Sequence, residues 1–327
     1  MIDTVNLRPC TDRPLKLRHE VKMGKGTNLI REWSQPNDGT VEWRLKDPQT
    51  GLFLKGSTVS RPWIQVSLPR LQYGNNFRIL RCQEEIDLAL GSLTGTLEGI
   101  FEEVPEMEFT RVDLGLQFWA PCASALSALH GAPHPEVRSE PTRYEVKSDA
   151  HSLRFQGREL VIAGYDKIGQ MTKKRGATEI REAYGHMAGE VLRLEFQLRG
   201  KKLTRVLSND DSYPTRLRFD ESYEAYRKLA LGFDRVSVQS FSSRMELMAN
   251  AFAVMENSGI TMADGRGPMS HLAEIVSSAT MRRYRKAVRK YRLELQGIDW
   301  EQLLPPIWNP TNPHLVTDFQ DLEDGSR

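Results

Sequence analysis

An α+β fold is predicted, with an antiparallel sheet filling the first two thirds of the 327 residues and helices gathered towards the C-terminus. Three observations carry this. Several short segments alternate apolar and polar residues with period two, the pattern of strands with one face buried and one face wet. Gly- and Pro-containing turns such as Pro36-Asn37-Asp38-Gly39 and Asp47-Pro48-Gln49-Thr50-Gly51 punctuate them. Beyond about residue 218 the spacing of apolar residues becomes helical.

In chain order, Ile2 to Leu7, Val41 to Lys46 and Ile64 to Leu68 are the first strands, the second of them strictly alternating. Met23-Gly24-Lys25-Gly26-Thr27 is not a Walker loop: the glycine such a loop needs falls on His19, and Gly26 replaces the Ser or Thr after the lysine. Glu84 to Glu103 is a helix through Ile86, Leu90, Leu93, Leu97 and Phe101. Phe109 to Trp119 is a strand with Val112, Leu114, Leu116 and Phe118 on one face and Arg111, Asp113, Gly115 and Gln117 on the other. Pro121 to His130 opens as a helix with proline in its first turn, and His130 and His134 flank a Gly-Ala-Pro loop that lacks the features of a metal site.

Arg143 to Lys147 and Ser152 to Phe155 lead through a turn at Gln156-Gly157-Arg158 into the strand beginning at Leu160. Val191 to Arg199 sets Leu192, Leu194, Phe196 and Leu198 against Arg193, Glu195, Gln197 and Arg199. A Ser-Asn-Asp-Asp-Ser-Tyr-Pro stretch suggests a linker at 206–218 between a domain at 1–205 and a helical one at 219–304, with helices at Ser222 to Leu231, Ser242 to Glu256 and Gly267 to Leu293. The tail at 305–327 is expected to be poorly ordered. No internal repeat is visible.

Composition narrows the class. Hydrophobic content of 39% and charged content of 27% fit a soluble globular protein, and no segment approaches the ~20 apolar residues of a membrane span. Three scattered cysteines point to free thiols in a reducing cytosol. A net charge of +2 says little about partners. The stretch Arg282-Arg283-Tyr284-Arg285-Lys286-Ala287-Val288-Arg289-Lys290-Tyr291-Arg292 says more, because a helix of this charge density suits either phosphate contacts or plain solvation.

Period two puts Val161, Ala163, Tyr165 and Lys167 on one face of their strand, so a phenol and an ammonium leave its end together. Asp113 and Glu195 come from two other strands. Residue chemistry leaves two readings open for these carboxylates: a Mg²⁺ or Mn²⁺ site polarising a phosphate, or strand salt bridges with Arg111 and Arg193. Tyr184, Tyr223 and Tyr226 are alternative phenols, ranked below Tyr165.

The three stretches Thr110-Arg111-Val112-Asp113, Val161-Ile162-Ala163-Gly164-Tyr165-Asp166-Lys167 and Leu192-Arg193-Leu194-Glu195-Phe196, with the opening Met-Ile-Asp-Thr-Val, resemble the motif series of filamentous-phage replication initiators of the gene II class. These are strand-nicking endonucleases with distant relatives among rolling-circle plasmid initiators. The resemblance covers roughly residues 1–205 and implies an antiparallel-sheet nuclease core with flanking helices. It implies Tyr165 as nucleophile with Lys167 in a Tyr-x-Lys pattern, and Asp113 and Glu195 near a divalent metal. The His-hydrophobe-His metal motif of the broader class is absent; Glu195-Phe196-Gln197 is the nearest pattern.

The resulting expectation is a rolling-circle initiator of the host cytoplasm that nicks one strand of a duplex origin and later rejoins it. Arg282, Arg283, Lys286 and Arg289 would touch DNA, and host helicase and polymerase would be partners, with no membrane involved. The alternatives are a hydrolytic metal nuclease and a non-enzymatic DNA-binding regulator.

Overall fold

A computed structural model of the chain describes residues 1–23, 29–36, 38–131, 134, 136–137, 142–145, 151–173, 177–208, 212–234, 268–282 and 300–325. Its centre is one antiparallel sheet of ten strands in the order β2-β3-β4-β5-β1-β6-β10-β9-β8-β7. The strands are β1 (Ile2–Pro9), β2 (Ile30–Ser34), β3 (Glu42–Lys46), β4 (Phe53–Ser57), β5 (Trp63–Ser67), β6 (Met107–Trp119), β7 (Thr142–Glu145), β8 (His151–Gln156), β9 (Leu160–Asp166) and β10 (Val191–Arg199). The α+β class and its antiparallel sheet therefore match the expectation.

That order hides a repeat. β1 is followed by α1 (His19–Met23), then by a meander from the outer edge, β2-β3-β4-β5, which ends beside β1 and leads into α2 (Leu68–Tyr73) and α3 (Gln83–Ile100). β6 is likewise followed by α4 (Cys122–Gly131) and by the meander β7-β8-β9-β10, which ends beside β6 and leads into α7 (Gly200–Leu207) and α8 (Phe219–Ala230). The second half adds α5 (Lys167–Thr172) and α6 (Thr178–Tyr184) between β9 and β10. Because β1 and β6 pair antiparallel, a pseudo-twofold axis along the sheet normal relates the halves and maps each face onto itself. Topology shows a duplication that the residues do not.

One face of the sheet is apolar. Val112, Leu114, Leu116 and Phe118 of β6 and Leu192, Leu194, Phe196 and Leu198 of β10 are all buried, as the alternation predicts. Helices cover this face closely: a Cβ on Gly164 would lie 2.9 Å from Cδ2 of Leu126 in α4, so glycine there lets the helix approach. Phe219, Tyr223, Tyr226 and Leu229 of α8 lie in the same core, and the Tyr226 hydroxyl donates to the Leu194 carbonyl at 3.1 Å. Residues just past the expected 206–218 linker thus belong to the core of the sheet.

Further on, α9 (Pro268–Ile275), α10 (Trp300–Leu303) and α11 (Phe319–Gly325) are present. The helix expected at 242–256 lies outside the described residues, as does the part of the 267–293 helix beyond Arg282. The tail differs from expectation. Leu315 bridges Phe118, and the Val316 amide donates to the Gln117 carbonyl at 3.0 Å. Phe319 stacks on Phe77 and Tyr184 with centroids 4.3 and 5.0 Å apart, and Val316 and Leu322 are fully buried. A Pro- and Asp-rich composition reads as disorder only while the end of β6 that receives it is out of view. No helix among the described residues is long and apolar enough to cross a membrane.

Candidate active site

The opposite face of the central strands is polar and largely buried. In β10 the residues at alternate positions are Arg193, Glu195, Gln197 and Arg199, facing Gln117, Gly115, Asp113 and Arg111 of β6 respectively. On the other side Arg193 faces Tyr165 of β9. Three strands thus bring Asp113, Tyr165 and Glu195 to one surface.

The hub is Arg193, only 1% exposed. Its Nε donates to Glu195 Oε1 at 2.6 Å and its Nη2 to Asp3 Oδ2 at 2.6 Å. Nη1 donates to Gln117 Oε1 at 3.1 Å and to the Asn76 carbonyl at 3.4 Å. Gln117 in turn donates to the carbonyls of Phe77 and Val316, at 3.0 and 2.9 Å, so the C-terminal tail closes this end of the cluster. Space for the hub comes from Gly115: a Cβ there would sit 3.0 Å from Arg193 Nη2 and 3.1 Å from Glu195 Cγ.

Tyr165 is half-buried and donates its hydroxyl proton to Glu195 Oε1 at 2.6 Å. Burial, then the Glu195 charge, holds its pKa well above the ordinary phenol value, although Arg193 works the other way. A phenol so placed keeps its proton at neutral pH and has a carboxylate within reach to receive it. Asp166 caps α5, accepting from the Gly169 amide at 2.9 Å, and also accepts from the Gly189 amide at 2.9 Å; its role is to end β9 behind the tyrosine. Lys167 is fully buried, and its ammonium helps hold the Asp3 carboxyl down.

Asp113 is 2% exposed and engaged by both Arg111 nitrogens, Nε at 2.7 Å from Oδ1 and Nη2 on Oδ2. The guanidinium favours the ionised form, but burial, with the charges of Glu195 and Asp3, wins and pushes the carboxyl up to about 7. The salt-bridge reading of both carboxylates is thus the one realised here: Arg111 holds Asp113 and Arg193 holds Glu195. Among the described residues no three His, Cys, Asp or Glu side chains gather as metal ligands. As arranged, these donors do not fit Mg²⁺ or Mn²⁺, because Arg111 engages both Asp113 oxygens and Glu195 Oε1 is shared between Arg193 and Tyr165.

Other sequence candidates separate from the cluster. The Tyr223 hydroxyl donates to the Pro305 carbonyl at 2.7 Å, and Tyr226 serves the apolar core. Tyr184 reaches Glu323 at 3.2 Å. His134 packs on Phe196 and Phe233, with Nε2 at 2.9 Å from the Leu229 carbonyl, which makes it a core residue. Arg282 is exposed, while Arg283, Lys286 and Arg289 lie outside the described residues. An open pocket of about 210 Å³ at the far edge of the sheet is lined by Glu32, Trp33, Ser34, Glu42, Trp43 and Arg44, none of them in the cluster. Asp3 and Gln117 are the members that sequence reasoning missed. An aspartate inside the apolar Ile2-Asp3-Thr4-Val5 strand was the only signal for the first.

No family model matches the chain, and no curated protein matches it. Among solved structures the chain is similar to a rolling circle replication initiator protein from Geobacillus stearothermophilus. The two share 12% identity and a TM-score of 0.35, over 63% of this chain and 76% of that one. At that score the likeness is one of outline and assigns no residue of this chain a role.

Proposed function

We propose that the chain is a DNA strand-nicking replication initiator of the rolling-circle kind, with Tyr165 as its nucleophile. The observation that carries this reading is the chain of contacts Tyr165–Glu195–Arg193: a phenol hydrogen-bonded to a carboxylate at 2.6 Å, itself oriented by a buried guanidinium at 2.6 Å. Nucleophile, base and orienting group are the three parts an activated hydroxyl needs. Since the phenol is held protonated, its proton passes to Glu195 as the oxygen engages phosphorus. The bond from phosphorus to the Tyr165 oxygen forms and the bond to the 3′ oxygen breaks. The departing oxygen takes up a proton, leaving a 5′-phosphotyrosyl link and a free 3′-OH. Lys167 offsets the negative charge that Asp3 and Glu195 place against a developing phenolate. The link conserves bond energy, so attack by a 3′-OH on it reverses the step and rejoins a strand.

In this reading the duplex origin is met by the basic segment containing Arg282, Arg283, Lys286 and Arg289, and in the cytoplasm host polymerase extends the 3′-OH while host helicase separates the strands. The test is incubation with end-labelled single-stranded DNA and Mg²⁺, followed by denaturing electrophoresis. A covalent adduct is expected with the wild type, and background only with Tyr165→Phe, which keeps the ring and loses the oxygen. Cleavage without an adduct indicates hydrolysis, and binding without cleavage indicates a regulator. An adduct that persists in Tyr165→Phe overturns the assignment.

A further inference from the structure

The polar face does not stop at the active cluster. One row of directly opposed residues crosses six strands: Arg199 on β10 faces Arg111 on β6, Arg111 faces Asn6 on β1, and Asn6 faces Gln65 on β5. Gln65 then faces Phe53 on β4, and Phe53 faces Lys46 on β3. At ~4.8 Å per strand the row is about 24 Å long. It begins six residues along β10 from Arg193, hence about 20 Å from the Tyr165 row.

Its chemistry is uneven in a telling way. Like charges set directly opposite each other destabilise a sheet, yet Arg199 and Arg111 are so placed. Arg111 is neutralised by Asp113, but Arg199, whose Nη2 donates to Gln197 Oε1 at 3.1 Å, has a buried Nε with no hydrogen-bond partner among the described residues, and burial together with Arg111 and Arg154 lowers its pKa. An anion would relieve this. In the middle, the buried Asn6 Oδ1 is an acceptor that also has no hydrogen-bond partner among the described residues. At the other end Phe53 is half-buried, its ring 5.7 Å from that of Trp63, and is flanked by the exposed Lys46 and Lys55. Neither lysine makes an ion pair among the described residues, whereas the neighbouring Arg44 has Glu32 at 3.7 Å. Phosphate-seeking cations at both ends, amides between them and an aromatic face are the parts of a single-strand platform.

We infer that this row is the track on which the strand running to Tyr165 is laid, with single-stranded DNA as its occupant. The inference rests on the proposed function for the direction of the strand, and its test is separate. Fluorescein-labelled oligodeoxythymidylates of about 6 and about 12 nucleotides are titrated with the full chain, by anisotropy over a salt series. Wild type is expected to bind the longer probe at least about tenfold more tightly. Arg199→Gln/Lys46→Gln should lose that gain and flatten the salt slope by about 1.4, at ~0.7 per phosphate, with an unchanged melting temperature. Phe53→Leu should weaken the longer probe about tenfold and leave the slope alone.

Equal affinity for the two probes in wild type, or an unchanged slope in the double variant, overturns the track. The same gain with a duplex of equal length overturns the single strand as occupant. Adduct formation without length dependence removes the track and keeps the nuclease. Length-dependent binding without any adduct keeps the track and removes the nuclease.

Discussion

Replacing Arg193 by Met keeps most of the stem volume and removes the fork that joins Asp3, Glu195 and Gln117. Two carboxylates then remain in a site where Asp3 is 6% and Glu195 9% exposed, and the fork that held both is gone, leaving Lys167 to act on Asp3. Breaking a buried ion pair by deleting one partner costs about 3–5 kcal/mol, because the remaining charge is left uncompensated. Here two remain, so we expect the upper end, about 5 kcal/mol, from urea unfolding at pH 7. Arg193→Lys should recover only part of it, since a single ammonium cannot hold the two carboxylates and the Gln117 amide in one plane.

The deficit should depend on pH with a definite sign. Arg193 and Lys167 hold the Asp3 carboxyl below its ordinary value against the cost of burial. Its contribution is therefore present above the unfolded pKa of ~3.9 and lost as pH falls through the lower folded value. Arg193→Met removes the larger part of that support and leaves Lys167, so its deficit should be greatest at neutral pH and close in acid. Adding Asp3→Asn and Glu195→Gln should return much of the loss. A single variant within about 1 kcal/mol of wild type, or a deficit independent of pH from 3 to 7, would refute the hub role of Arg193.

Asp113 predicts the opposite sign. With its pKa raised to about 7, its contribution is fully present below ~3.9 and lost as pH rises through 7; Asp113→Asn should flatten this part of the stability profile by up to ~1.4 kcal/mol per pH unit, and parallel profiles would contradict it. Gly115→Ala pushes a methyl against Arg193 and Glu195 and should cost about 1–3 kcal/mol while lowering adduct formation; an inert substitution would show the glycine to be incidental. Phe319→Ala unstacks the tail from Phe77 and Tyr184, so the amides of Ile79 and Val316, which bond across it, should exchange at least tenfold faster. Unchanged exchange would mean that the aromatic stack does not hold the tail.

Strict alternation made β3, β6 and β10 legible, and α3 was legible from its leucine and isoleucine spacing. β2 and β4 were not, because Ile30-Arg31-Glu32-Trp33-Ser34 is exposed almost throughout and Phe53-Leu54-Lys55-Gly56-Ser57 holds a glycine. Gly56 exists for a tertiary reason: a Cβ there would lie 2.5 Å from the Trp43 ring. At the site, residue faces were readable and neighbours were not. Period two predicts that Tyr165 and Glu195 are both presented by strands, but only the register Arg193↔Tyr165 with Glu195↔Gly115 brings the hydroxyl to the carboxylate. Lys167 shows the limit: the strand ends at Asp166, so period two no longer applies to the lysine, which begins a helix and is fully buried.

The duplication explains why the cluster sits where it does. Tyr165, Glu195 and Arg193 all come from the second half of the sheet, and Asp3 comes from the first strand of the first half. The Arg193 guanidinium is thus bonded from both sides of the pseudo-twofold axis, and the seam β1–β6 is part of the site rather than a neutral join. Neither half completes the cluster alone. The second half lacks the carboxylate that shares Arg193, and the first holds neither phenol nor base. Its own open face instead carries Phe53, Lys46 and Lys55, groups that bind without reacting. A fold built twice from one plan can keep chemistry on one copy and substrate contact on the other, because an axis normal to the sheet leaves both on the same face.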